Sequence, residues 1–112
     1  MREKSTGSVR IFYPSLTQKE LVEKLRADLS ELSEEFPIIR AVLFGSWAKG
    51  NYTVASDIDL LIIYADPPQE DAYKIVRKKL AFAQLELHIY SQSEYEQNKE
   101  TVDKMIKDGV LI

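Results

Sequence analysis

The chain has 112 residues, 45% of them apolar and 29% charged, with a formal net charge of −3 from 15 basic and 18 acidic side chains. That size suits one domain, residues 1–112, with a single core, and the mild acidic balance gives no bulk attraction to nucleic acid. The lack of cysteine excludes disulfides and thiolate chemistry, the single histidine (His88) excludes a multi-histidine metal site, and no apolar run approaches the roughly 20 residues of a membrane span, so the chain reads as cytoplasmic.

Residues 1–8 are polar and read as flexible. Val9 to Tyr13 reads as a short edge strand or an arm, ended by Pro14. Thr17 and Glu20 have capping-box spacing. Leu21, Val22, Leu25, Leu29, Leu32 and Phe36 then recur at helical spacing, and Pro37 stops the run. Ile38 to Phe44 is β-rich and runs into Gly45-Ser46, a strand followed by a tight turn. Ala48 to Ser56 is small and polar, a loop or a short helix and loop. Ile58 to Tyr64 is almost continuously apolar, as in a strand covered on both faces. Asp66-Pro67-Pro68 marks a turn. Glu70 to Leu80 is a second helix with Ala72, Ile75, Val76 and Leu80 on its apolar face, and Leu85 to Tyr90 is a third strand. Ser93 with Glu96 reads as another capping box, opening a last helix to about Asp108, with Gly109 at its C′ position. The apolar end Val110-Leu111-Ile112 either docks on the chain's own core or meets a partner. The order helix, strand, strand, helix, strand, helix predicts an α/β (α+β) domain, a small sheet flanked by helices.

Three acids stand inside apolar strands. Asp57 and Asp59 flank Ile58. Alternate strand residues share a face, which puts the two Cα atoms about 6.5–7 Å apart with both carboxylates pointing the same way. Aspartate is a poor strand residue, and like charges on one face disfavour each other's ionisation. A divalent cation removes the conflict. Glu86 repeats the anomaly: in Leu85-Glu86-Leu87-His88-Ile89 the apolar residues share one face, and Glu86 and His88 share the other. If the two strands are neighbours, three carboxylates converge. Such an all-oxygen set suits Mg²⁺ or Mn²⁺ rather than zinc and can serve two ions. Taken singly, Asp57 is as well read as a turn cap, and Glu86 as a solvent-facing edge acid.

Gly45 permits close backbone approach, Ser46 offers a hydroxyl and an N–H to an anion, and Lys49 is either a phosphate contact or an ordinary surface lysine. Trp47 reads as a packing residue. His88 reads as a hydrogen-bonded structural residue. Lys74, Arg77, Lys78 and Lys79 read as a solvated helix face in preference to an RNA contact.

Gly45-Ser46, Gly50 and then Ser56-Asp57-Ile58-Asp59-Leu60 resemble the pattern of the DNA polymerase β superfamily of nucleotidyltransferases: glycine-serine, a spacer of about ten residues, and an Asp-x-Asp pair opening an apolar strand. Glu86 falls where that superfamily carries its third metal ligand. The resemblance runs over residues 38 to 92, about half of the chain, and is nearest to the minimal nucleotidyltransferases. These are stand-alone domains of similar length, often encoded beside a HEPN-type helical partner. It implies the polymerase β-like fold, with a small mixed sheet. It implies two Mg²⁺ on Asp57, Asp59 and Glu86, and a nucleoside triphosphate, ATP or another, with its β- and γ-phosphates on Gly45 and Ser46. Lys49 stands where a second basic residue is usual. An acceptor hydroxyl would attack the α-phosphorus, with pyrophosphate leaving. Members paired with HEPN toxins act as antitoxins, some by transferring AMP to a tyrosine of the toxin. By this resemblance the chain is a partner-dependent nucleotidyltransferase acting on a HEPN-type protein.

The chain departs from the pattern at Trp47, where many relatives have arginine, and at Glu86, where many have aspartate. It has no room for the second domain of larger members, so the acceptor surface is expected from another chain, a partner or a second copy. Two other readings are a binding module that neutralises a partner by contact, and a transferase acting on RNA or a small molecule.

Overall fold

Helix α1 (Gln18–Leu32) opens on a reciprocal cap. The Thr17 hydroxyl accepts from the Glu20 N–H at 3.1 Å, and the Glu20 carboxylate accepts from the Thr17 N–H at 2.9 Å. This computed structural model describes residues 16–53 and 55–112; the strand expected at Val9–Tyr13 and the flexible 1–8 lie outside them. The helix ends at Leu32 rather than running to Phe36. The N–H groups of Glu35 and Phe36 both turn back to the Leu32 carbonyl, at 3.0 and 2.9 Å. That tightened turn still delivers Phe36 to the core, its ring 5.0 Å from that of Tyr64.

Strand β1 (Ile38–Phe44) follows, then the one-turn helix α2 (Ser46–Lys49), β2 (Ile58–Tyr64), α3 (Ala72–Lys79), β3 (Leu85–Ser91), α4 (Gln92–Gln97), α5 (Lys99–Met105) and β4 (Val110–Leu111). The four strands form one mixed sheet in the order β3-β2-β1-β4. β1 runs antiparallel to β2 and to β4, and β2 runs parallel to β3. The parallel pair is joined through α3, as a crossover requires.

Helices cover both faces. Ala41, Leu43, Leu60, Ile62, Leu85 and Leu87 pack with the apolar faces of α1 and α3. Val42, Phe44, Leu61 and Ile63 pack on Val102 of α5. β2 lies between the two layers, and Leu60, Leu61 and Ile62 are fully buried. Two-sided burial is why the strand reads as one apolar run. Of the four basic residues around α3, Lys79 pairs with Glu31 and Arg77 donates to the Leu85 carbonyl at 3.2 Å, so two are tied to the scaffold. No helix among the described residues is long and apolar enough to cross a membrane.

The C-terminal third corrects three expectations. The capping box is Ser91 with Glu94, two residues earlier than Ser93 with Glu96. Ser93 instead gives its N–H and hydroxyl to the Asp66 carboxylate, at 3.1 and 2.9 Å, tying the proline turn to α4. The last helix breaks at Asn98 into α4 and α5. The left-handed residue after α5 is Asp108 (φ 66°), not Gly109. Gly109 is small for another reason: a Cβ there would lie 2.5 Å from Val42 Cγ1 and 2.9 Å from two backbone carbonyls, lifting β4 off β1. Val110 and Leu111 pair with Leu43 and Val42, so the apolar end docks on the chain's own sheet.

Ser91 is fully buried and accepts the Glu94 N–H at 3.2 Å. Ser91→Ala is therefore expected to lower the urea-unfolding free energy by about 1 kcal/mol, the usual worth of an N-cap. Ser93→Ala should cost less; the opposite ranking would return the cap to Ser93.

Candidate active site

The ladder aligns the site. Phe44, the last residue of β1, pairs with Asp59 of β2, and Asp59 pairs with Glu86 of β3. The Gly45 turn, Asp59 and Glu86 thus form a row across three neighbouring strands, about 4.8 Å apart from strand to strand. Strand alternation places Asp59, Glu86 and His88 on the α5 side of the sheet. Asp57 precedes β2 and is exposed, as is Glu86, whereas Asp59 is half-buried.

Gly45 has φ 75°, a positive value that favours glycine. A Cβ at this position would overlap the Asp59 carboxylate oxygen. The turn therefore lies directly on the carboxylate, and only a residue without a side chain allows it. In α2 the Ala48 and Lys49 N–H groups return to the Gly45 carbonyl, both at 3.1 Å. The Ser46 and Trp47 N–H groups have no partner among the described residues, so two donors of the first turn remain available.

The start of α1 braces this turn. The Gln18 side-chain amide donates to the Trp47 and Ala48 carbonyls at 2.7 and 3.1 Å. The Gln18 N–H donates to the Tyr52 hydroxyl at 3.1 Å. Trp47 is buried and stacks on Tyr52 with ring centroids 3.9 Å apart and planes 7° apart. It packs, as expected, and its indole N–H has no acceptor among the described residues. Nothing in the sequence marks Gln18 as a brace, because it acts across 29 to 34 residues of chain, whereas Tyr52 reaches Trp47 only five residues away. Lys49 is exposed in the last turn of α2, beside the left-handed Gly50.

Burial, foremost, holds the Asp59 carboxyl above the ordinary carboxylate value; the like charges of Asp57 and Glu86 add to this, and His88 opposes it. Asp59 therefore feels both neighbouring acids. His88 rests its ring on Phe44, centroids 5.3 Å apart, two register positions beyond Glu86. Among the described residues none of the three acids has a salt-bridge partner. The three side chains are not drawn into a cage: no group of three or more acidic or histidine side chains among the described residues is gathered closely enough to hold an ion. The structure thus brings Asp59 and Glu86 side by side and leaves Asp57 and Lys49 pointing to solvent at the rim. The donor set nonetheless fits a hard cation, which takes a few carboxylates and completes its shell with water and phosphate oxygens. The glycine cradle against Asp59 fits it too. A separate groove of about 510 Å³ lies at the other edge of the sheet, between Arg26, Leu29, Ile39 and Leu111, away from these acids.

Residues 22–112 match the family model of the nucleotidyltransferase domain. Over 51 residues the chain is 41% identical to "Putative protein adenylyltransferase MJ0126" of Methanocaldococcus jannaschii, a stretch covering 46% of this chain and 52% of that protein. Over 59 residues it is 32% identical to "Putative protein adenylyltransferase MJ0141" of the same organism, covering 52% of this chain and 59% of that one. The chain therefore spans somewhat over half the length of these relatives. Its backbone superimposes on the crystal structure of "a putative nucleotidyltransferase from Sulfolobus solfataricus" with a TM-score of 0.61 at 19% identity, over 94% of this chain and 90% of that one. At that identity the likeness is one of fold.

Proposed function

The chain belongs to the nucleotidyltransferase domain family, and on that premise we propose that it transfers AMP from ATP to a hydroxyl of a partner protein. The observation that carries the reading is the row of Gly45, Asp59 and Glu86 across three strands, with the glycine backbone set against the Asp59 carboxylate. The similar proteins of M. jannaschii, which bear the name protein adenylyltransferase, favour AMP and a protein acceptor. Asp57, Asp59 and Glu86 would hold Mg²⁺, two ions by the family resemblance, with Mn²⁺ a substitute. Bound there, the metal neutralises the clustered acids and the charge that develops on the phosphates.

The chain's own groups do the rest. The Ser46 and Trp47 N–H groups, the Ser46 hydroxyl and Lys49 take the outer phosphates of the nucleotide. Gly45 lets those phosphates sit against Asp59. A carboxylate of the row, Asp59 or Glu86, accepts the acceptor hydroxyl's proton. The acceptor oxygen bonds to the α-phosphorus, the bond to the β-phosphate oxygen breaks, and pyrophosphate leaves in line. We take the partner to be a HEPN-type helical toxin and the chain its antitoxin.

The test is incubation of the chain with such a partner, Mg²⁺ and each nucleoside triphosphate, read by intact mass. One added AMP on the partner is expected from ATP alone, and none without Mg²⁺. A second reading, neutralisation by contact, draws on the exposed and ungathered Asp57 and Glu86. A tight complex with an unmodified partner at every nucleotide would replace the first reading with the second.

A further inference from the structure

β3 is the outermost strand on the site side of the sheet. Its ladder to β2 starts with the Ile58 N–H on the Gln84 carbonyl, at 2.8 Å. In a parallel ladder successive residues turn their N–H and C=O groups to opposite sides. Gln84, Glu86, His88 and Tyr90 therefore face β2, and Leu85, Leu87, Ile89 and Ser91 face outward. The outward groups at the ends are occupied: the Leu85 carbonyl accepts from Arg77 at 3.2 Å, and the Ser91 N–H donates to Glu94 at 2.8 Å. Between them, the N–H and C=O of Leu87 and of Ile89 have no partner among the described residues. An edge open in this way among the described residues is a template for another strand.

The open stretch lies beside the site. A strand added there stands about 4.8 Å from β3, on the other side of Glu86 from Asp59. Its alternate side chains project on the acid face level with Glu86, and the others fall on the apolar side, beside the half-buried Ile75 and Phe82. The acid face, with Asp57, Asp59 and Glu86, favours cationic neighbours. An acceptor oxygen must cross Glu86 to approach Asp59, which favours a long hydroxyl-bearing side chain.

We propose that the acceptor segment docks as an extended antiparallel strand on the outer edge of β3 at Leu87–Ile89, its apolar side chains toward α3 and its hydroxyl and basic side chains over Glu86. This rests on the transferase reading for the word acceptor, but the docking is measured without nucleotide. The probe is the acetylated, amidated peptide KVYVKV, whose tyrosine and lysines share one face. Amide hydrogen exchange of the full chain is followed residue by residue. The expected result is slowed exchange at Leu87 and Ile89 with the peptide and no effect from the same peptide N-methylated at its valines. The protection is lost in Ile89→Pro, which removes one outward N–H without touching the ladder to β2, and kept in Ile89→Thr, which retains it. Unchanged exchange at both amides, or equal protection by the N-methylated peptide, overturns the proposal even if Ile89→Pro does not fold. Edge protection, while the partner incubation with Mg²⁺ and ATP gives no added AMP, would overturn the transferase reading alone. AMP transfer to the partner in that incubation, without edge protection by the peptide, would overturn the docking alone.

Discussion

If the chain acts as proposed, Mg²⁺ with ATP is expected to raise its melting temperature, and Asp57→Asn/Asp59→Asn is expected to abolish that rise. A ligand present at 100 times its dissociation constant adds about 2.7 kcal/mol to a folded protein. For a domain of this length that is a rise in Tm on the order of 10 °C. Asp59 lies at the centre of the row, with the Gly45 backbone against it and Glu86 beside it. Removing its charge and that of Asp57 leaves Glu86 as the one carboxylate of the three, too little to hold the proposed cation. The same variant without ligand behaves oppositely. Burial first, then Asp57 and Glu86, raise the Asp59 carboxyl above its ordinary value of 3.8, against the pull of His88. A carboxyl raised in the folded state takes up protons on folding. Its stabilising contribution is complete below the ordinary carboxyl value and is lost as pH rises through the folded one. At neutral pH the metal-free wild type therefore carries a cost that the double variant lacks. The variant's ligand-free Tm should equal or exceed the wild type's. A variant that keeps the Mg²⁺–ATP shift would remove these aspartates from the site.

Gly45→Ala and Gly50→Ala form the second experiment, because the two glycines share a backbone problem and differ in what surrounds them. Both have positive φ, 75° and 84°, but Gly50 (ψ 3°) lies in the left-handed well, whereas Gly45 (ψ −150°) lies where essentially only glycine is found. Alanine thus costs about 1–2 kcal/mol in conformation alone at Gly50 and up to about 3 kcal/mol at Gly45. At Gly50 a Cβ has nothing within 4 Å, whereas at Gly45 it overlaps the Asp59 carboxylate. Gly50→Ala should lower stability by that conformational cost and keep the nucleotide response. Gly45→Ala should cost more, at least about 3 kcal/mol once overpacking is added, and should lose the response, since Asp59 must leave the row. Denaturant unfolding and the Mg²⁺–ATP thermal shift read the two effects separately. Equal behaviour of the two variants would mean that the contact between turn and carboxylate has no functional weight.

Local patterns were legible where the physics is local. The Thr17–Glu20 cap, the apolar stripe of α1 and the limits of β1 and β2 follow from neighbours a few residues apart. The acids stood out because aspartate and glutamate conflict with apolar strands wherever the strands lie. The cap at the start of α4 shows the limit. Ser91…Glu94 and Ser93…Glu96 have the same spacing, and only the end of β3 at Ser91 chooses between them. Gly109 was likewise readable as a terminator, but its size answers to Val42, more than sixty residues away in the chain.

The sequence by itself determined which residues carry charge into the sheet, where the glycine-serine turn lies and which family the pattern resembles. These depend on residue type and short spacing. Only the tertiary structure decided that Asp59 and Glu86 are register partners, that Gly45 lies against Asp59, and that Val110–Leu111 pairs as the fourth strand of the sheet. Each of these is a contact between segments distant in the chain. Strand register and order are set by the joint burial of two apolar faces, a property of the assembled core that no single segment contains.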